Sequence, residues 1–225
     1  MFGESEMNIV DKIVRGDVYR KTRLHDEQGN FADAACFTSL PKSIWTYLMF
    51  KLTGRAPELP WISYNAIERI DRVLSADANV LEFGSGSSTM WFARRCGFLH
   101  SIEHDEVWHR RISSLLERDG LTNVRYDLKT RQDYTDLGEY EAPFFDFCLV
   151  DGVERLRSVE RAIPMIKSGG FIFLDNSDHI DVEGERPMAV KPIVAAAEKA
   201  GGTVDYFTDF APTQLHANQG LLARL

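Results

Sequence analysis

Cysteine is scarce: Cys36, Cys96 and Cys148 are the only three in 225 residues, and none forms a Cys-x-x-Cys pair. An odd, scattered set excludes a disulfide framework and a cysteine-based zinc site, and it fits a reducing compartment such as the cytoplasm. Cys148 falls inside an apolar strand pattern and reads as a core thiol. No apolar run approaches the length needed to cross a bilayer, and the acidic, polar first residues lack the pattern of a secretion signal. Excess positive charge is missing too. The 26 Lys and Arg stand against 34 Asp and Glu, a net charge of −8, with a pI near 5.3. That balance argues against nucleic acid or an anionic membrane as the main partner. There is no Gly-Lys-Ser/Thr, which speaks against a phosphate-cradling ATP loop. Repeats, linkers and low-complexity segments are absent.

What is present suits a globular domain with a core: 44% hydrophobic and 27% charged residues. Residues 1–38 have weak periodicity and read as a partly ordered arm. A helix is expected from Ser39 to about Lys51, with Ile44, Tyr47, Leu48 and Lys51 at helical spacing and Gly54 past its end. Pro57 and Pro60 mark a rigid connection. Ser63 caps a helix carrying Ile67, Ile70, Val73 and Leu74 on one face. Strands follow at Asn79–Phe83, Phe98–Glu103, Asn123–Leu128, Phe145–Val150 and Phe171–Leu174. Asp105 and Gly120 bound one of the intervening helices. Another carries Leu156, Val159, Ile163 and Ile166, with a kink or split at Pro164 and an end at Gly169-Gly170. A short helix is expected from Pro192 to Ala200, and then two strands, Thr203–Phe210 and Gln219–Leu225, which pair antiparallel because no helix separates them. The alternation predicts a three-layer α/β sandwich with a seven-stranded, mostly parallel sheet and an antiparallel last strand. Residues 1–60 read as an N-terminal helical extension and 61–225 as the main domain.

The densest signal is Asn79-Val80-Leu81-Glu82-Phe83-Gly84-Ser85-Gly86-Ser87-Ser88-Thr89. A strand runs into two glycines one residue apart, which permit a sharp turn and a close approach to a ligand. Ser87, Ser88 and Thr89 can cap the helix that follows, whose free N–H groups favour an anionic group. Thr89 stands where a dinucleotide fingerprint would have its third glycine. Glu103, about 20 residues on and at the end of the next strand, suits a pair of ribose hydroxyls. By the rule that ligands sit at the carboxyl ends of parallel strands, Glu82, Glu103, Asp151, Asp175 and Asn176 share one edge.

Leu81-Glu82-Phe83-Gly84-Ser85-Gly86, followed by Ser101-Ile102-Glu103, Asp151 and Asp175-Asn176 in order, resembles class I S-adenosylmethionine-dependent methyltransferases over roughly residues 60–225. The resemblance implies S-adenosyl-L-methionine as cofactor. It places Gly84, Ser85, Gly86, Ser88 and Thr89 in the cofactor loop, with Glu82 orienting that loop or the amino group. Glu103 falls on the ribose, and His104, Gln132 and Asp133 on the adenine side; Asp133 also reads as a turn residue. Trp61 and Ser63 are candidates to line the crevice or to pack against the sheet. Asp151, Asp175 and Asn176 further resemble the metal site of catechol-type O-methyltransferases. These hard oxygen donors suit Mg²⁺ or a similar divalent cation, which would lower an acceptor hydroxyl's pKa and align it with the methyl group. Asp151 is equally a residue that metal-free relatives use on the cofactor's amino group. His179, after Asp178, is a candidate base for the acceptor's proton. The resemblance thus implies methyl transfer to an oxygen of a small-molecule acceptor. Two other classes stay open: an NAD-dependent oxidoreductase, disfavoured by the missing third glycine, and a non-catalytic adenosyl-binding domain. Acceptor specificity is expected in the first 60 residues and the 177–187 loop, and the N-terminal extension is a candidate homodimer surface.

Overall fold

Seven strands form one sheet in the order β3-β2-β1-β4-β5-β7-β6. They are β1 (Asn79–Phe83), β2 (Phe98–Glu103), β3 (Val124–Leu128), β4 (Phe145–Val150), β5 (Ile166–Leu174), β6 (Val204–Phe210) and β7 (Ala217–Arg224). This is a computed structural model, and it describes residues 15–17, 19–34, 36–179 and 185–225. Strands β1 to β5 pair in parallel, while β7 runs antiparallel to both β5 and β6. The sandwich expected from the alternation of strands and helices is therefore the one observed.

The helices are α1 (Cys36–Thr53), α2 (Tyr64–Val73), α3 (Ser87–Ala93), α4 (Glu106–Arg118), α5 (Arg155–Ala162) and α6 (Glu185–Ala200). Strand side chains alternate between two cores. Val80, Leu99, Phe147, Leu149 and Phe173 meet α2, α3 and α4 on one face. Leu81, Phe83, Ile102, Cys148, Val150 and Leu174 meet α5 and α6 on the other. The central β4 is buried on both faces, which is why its sequence shows an almost unbroken apolar run rather than alternation. The three cysteines are buried and free, and burial raises their thiol pKa values. Ser63 and Asp105 cap α2 and α4 as their sequence positions predict, accepting from the backbone N–H of Ala66 and Trp108.

Several boundaries differ from the sequence expectation. Strand β5 begins at Ile166, so Gly169-Gly170 lie within it and do not end a helix. A Cβ on Gly170 would come within 2.8 Å of Asp146 O on β4, so close strand approach requires the glycine. At Pro164 the expected helix is split, not kinked: α5 stops at Ala162 and a short 3₁₀ turn, Ile163–Met165, follows. Pro192 lies inside α6, not at its start. Helix α3 begins at Ser87, so Ser87, Ser88 and Thr89 form its first turn.

Residues 1–14, 18 and 35 of the weakly patterned arm lie outside the described residues. Its described part is tied to the sheet. Asp33 N–H donates to Thr208 O at 2.8 Å, Thr208 N–H returns a bond to Asp33 Oδ2 at 3.1 Å, and Ala217 N–H donates to Arg23 O at 2.8 Å. The described residues between 15 and 34 therefore border the end of β6 and the start of β7, the edge at which β1 to β5 also end.

Candidate active site

Gly84 leaves β1 with φ +96°, and a Cβ there would lie 2.5 Å from Gly152 N. The glycine is required because the loops after β1 and β4 touch, not only because a ligand must approach. Gly86 has an extended φ of 171°, and a Cβ added there would rest against the Trp108 ring at an ordinary contact distance of 3.9 Å. Its N–H donates to Thr89 Oγ1 at 2.9 Å, and that hydroxyl donates to Glu82 Oε2 at 2.6 Å. Ser101 Oγ donates to the same oxygen at 2.5 Å. Ser88 and Thr89 thus turn their hydroxyls inward, to Glu82. Glu82 is fully buried, and its Oε1 has no partner among the described residues. Burial raises its carboxyl from the ordinary 4.5 to about 7, against the opposing pull of the Ser101, Ser88 and Thr89 hydroxyls; the charge of Asp151 adds to the rise.

Glu103 ends β2 beneath the glycine loop. Its Oε2 accepts from Ser85 N–H at 3.2 Å and Ser85 Oγ at 2.7 Å. Its Oε1 accepts from the N–H groups of His104 and Asp105 at 2.7 and 2.8 Å and faces His104 Nδ1 at 3.0 Å. The carboxylate's roughly four lone-pair sites are filled by its own chain. Ser85 is also bracketed by Tyr126, whose OH lies 2.6 Å from Ser85 Oγ, and by Trp108, whose Nε1 donates to Ser85 O at 2.8 Å. Neither aromatic stood out in the sequence as a site residue; both sit at ordinary core-facing spacing.

On the adenine side the structure separates the candidates. His104 sits half-exposed beside Glu103, edge-on to the Tyr134 ring at 6.0 Å. Gln132 and Asp133 are exposed. Asp133 closes a turn on Thr130, whose hydroxyl donates to Asp133 Oδ2 at 2.9 Å, and Gln132 O accepts from Arg157 at 2.9 Å. Those bonds match the turn reading of Asp133. The residue that reaches inward is the next one, Tyr134, fully buried against Phe83. Ser63 is buried as the α2 cap, and Trp61 lies edge-on to the Phe50 ring of α1 at 6.1 Å while 37% of its surface stays exposed.

At the ends of β4 and β5, Asp151 and Asp175 do come together. Between them is a residue the sequence did not single out, Arg155. Its buried guanidinium donates to Asp151 Oδ1 at 2.9 Å, Asp151 O at 3.0 Å, Gly152 O at 3.0 Å and the carbonyl of Asp175. A buried arginine in the first turn of α5 leaves no composition signal that separates it from a solvated helix charge. Burial, with the neighbouring Asp151 charge, lifts the Asp175 carboxyl well above its usual range; Arg155 opposes the rise. Asn176 turns the chain in the left-handed region at φ 47°. The divalent cation expected at Asp151, Asp175 and Asn176 gains no support from this arrangement. The positive charge beside the two carboxylates is already supplied by Arg155. Among the described residues, no group of three or more His, Cys, Asp or Glu is placed to hold a metal ion.

Beyond β5, Asp178 is buried and accepts from Glu27 N–H at 2.9 Å and Gln219 N–H at 3.2 Å, stitching the N-terminal segment to β7. His179 places Nδ1 2.7 Å from Glu27 Oε2. Arg20 holds the other Glu27 oxygen at 2.9 Å and also donates to Asp17, Asn218 and Ala217 O. His179 is partly exposed, whereas Glu27 is buried. Residues 180–184 of the charged loop lie outside the described residues. A cavity of about 300 Å³ lies at the opposite edge, between the start of β1 and Lys167–Phe171 of β5, away from all of these groups.

No protein-family model matches the chain, and no curated protein matches it in sequence. Solved structures do. The cofactor-bound structure of Rv0187 from MTB superposes with a TM-score of 0.60 at 19% identity, over 82% of this chain and 96% of that one. An O-methyltransferase from Bacillus cereus in complex with SAH also gives 0.60, at 18% identity over 81% and 90%. A proposed rRNA methylase from Clostridium thermocellum gives 0.55, at 14% identity over 71% and 94%. At these identities the likeness is one of fold. With the order β3-β2-β1-β4-β5-β7-β6, a lone antiparallel β7 and the glycine loop at the carboxyl edge of β1, the chain has the fold of the class I S-adenosylmethionine-dependent methyltransferases.

Proposed function

We propose that the protein is an S-adenosylmethionine-dependent methyltransferase that methylates an oxygen of a small-molecule acceptor. The observation that carries this is Glu103 locked to Ser85 of the glycine loop at the carboxyl edge. A buried Glu82 oxygen without a partner among the described residues also fits a ligand that carries an amino group. Ser85 Oγ stands where a sugar hydroxyl would donate, so the ribose takes over a bond the loop already makes. Glu103 and Ser85 would hold the ribose, and Gly84 and Gly86 the turn around the methionine portion. His104 and Tyr134 would flank the adenine side. Asp151, fixed by Arg155, would face the amino group or the acceptor. When bound, the cofactor supplies an electrophilic sulfonium methyl. His179, with Nδ1 held on Glu27, keeps Nε2 as the lone pair that accepts the acceptor's proton. The reading needs no divalent cation. A net charge of −8 favours a small acceptor over RNA.

Titration calorimetry with S-adenosylhomocysteine and with NADH tests it. S-adenosylhomocysteine is expected to bind and NADH not to. Glu103→Ala should weaken the former by roughly 100-fold, the scale of two charge-assisted hydrogen bonds. Binding of NADH, or an unchanged affinity in the Glu103 variant, would defeat the proposal. A NAD-dependent oxidoreductase is also disfavoured by the strand order, since dinucleotide folds end their sheet with a parallel sixth strand.

A further inference from the structure

Helix α1 is turned inside out. The side facing the domain carries Cys36, Ser39 and Ser43, all buried. It is held by polar bonds: Ser39 Oγ donates to Asp209 Oδ2 at 2.9 Å, Ser43 Oγ to Ala211 O at 3.0 Å, and Thr46 Oγ1 accepts from Thr213 N–H at 3.0 Å. The opposite side carries the large apolar residues. Phe37 is 65% exposed, Ile44 43%, Trp45 66%, Leu48 48% and Leu52 80%. At helical spacing these five fall within an arc of roughly 100°, the width of a core-facing stripe, yet they face outward. Pro41 lies in the same arc. The helix contains no carboxylate. Its two lysines lie off the stripe, Lys42 beside Glu68 at 3.5 Å and Lys51 over the Tyr47 ring.

A contiguous apolar surface of this kind is an interaction site. We propose that it pairs with the same face of a second copy of this chain across a two-fold axis. Charge and area select that occupant. The stripe is uncharged, so like meets like without repulsion, and an isologous contact between identical helices is self-complementary. The exposed area of these five residues is on the order of 600 Å² per copy, about 1,200 Å² for the pair, which clears the size of a specific interface. This surface involves none of the groups assigned to the cofactor or the acceptor.

Sedimentation velocity of the full chain tests the pairing. The wild type is expected at twice the chain mass, and Trp45→Glu combined with Leu52→Glu at the monomer mass, with an unchanged far-ultraviolet dichroism spectrum. A second variant does not depend on tolerating new charges. Leu48→Cys, near the middle of the stripe, should give a covalent dimer under mild oxidation, because the three native cysteines are buried. A monomeric wild type at high micromolar concentration overturns the proposal, whether the stripe is then shielded by another part of the chain or binds neutral lipid vesicles. A dimer that survives the double variant and fails to cross-link through Cys at 48 overturns it as well.

Discussion

On the β1–β2 side of the sheet, the groups at the carboxyl edge lie close together in sequence, from Glu82 to Trp108, and most are bonded to a neighbour in that span. On the β5–β7 side they come from Asp17 to Gln219. Glu27, His179 and Gln219 meet only because three distant segments are folded over one another. The first half is a local device: a strand, a tight turn and an acid at the next strand's end, whose partners the chain supplies within about 20 residues. The second half is a tertiary device, made of buried charges that need each other. Arg155 needs Asp151 and the carbonyl of Asp175, and Glu27 needs Arg20 and His179. A local device can be recognised and can be broken by one backbone change. A tertiary one is invisible in sequence and fails through charge.

The sharpest way to break the local half is Gly84→Ala. The new Cβ meets the backbone of Gly152, which cannot move aside, and φ is in the left-handed region. Loss of about 3 kcal/mol or more is expected by chemical denaturation; stability within about 1 kcal/mol of wild type would mean that the two loops do not touch.

Next in size is the pH dependence that Glu82 imposes. Its carboxyl is raised in the folded protein, from 4.5 to about 7. The folded state therefore holds this proton more tightly than the unfolded chain. The resulting stability is full below about pH 4.5 and is lost as pH rises through about 7, at most about 3 kcal/mol. Glu82→Gln should remove that slope between pH 4.5 and 7. Asp175, Asp178 and Asp209 are also raised by burial and slope the same way, so the wild-type minus variant difference is the quantity to follow. A difference that stays flat over this range would place Glu82 in contact with water.

The smallest expected effect probes the tertiary half. Glu27→Gln keeps the shape beside His179 and removes the charge. Turnover with an accepted hydroxyl substrate should fall about tenfold, with KM and S-adenosylhomocysteine affinity within about twofold. Glu27→Asp should recover part of the rate. Loss of cofactor affinity instead would erase the contrast between the two halves, because it would show them coupled.

Strands β2 and β4 run over the residues expected from sequence, since period-two and continuous apolar patterns are local signals. The early start of β5 was hidden by Gly169-Gly170, a pair that resembles a helix stop until Asp146 on β4 is seen beside it. Thr89 and Ser88 were visible as hydroxyls in the loop, but not as partners of Glu82. The described residues between 15 and 34 showed only weak periodicity because their order comes from Asp178, Thr208 and Ala217, far along the chain.

By itself the amino-acid order determined the layered α/β architecture, the bend at Gly84–Gly86 and the acid at Glu103, because each depends on spacing within a strand, a turn or one crossover. Only the tertiary structure decided that Arg155 stands between Asp151 and Asp175, that Glu27 backs His179, and that α1 shows its apolar side to solvent. Those outcomes depend on which distant surfaces exclude water from a side chain, and burial of that kind has no period to read.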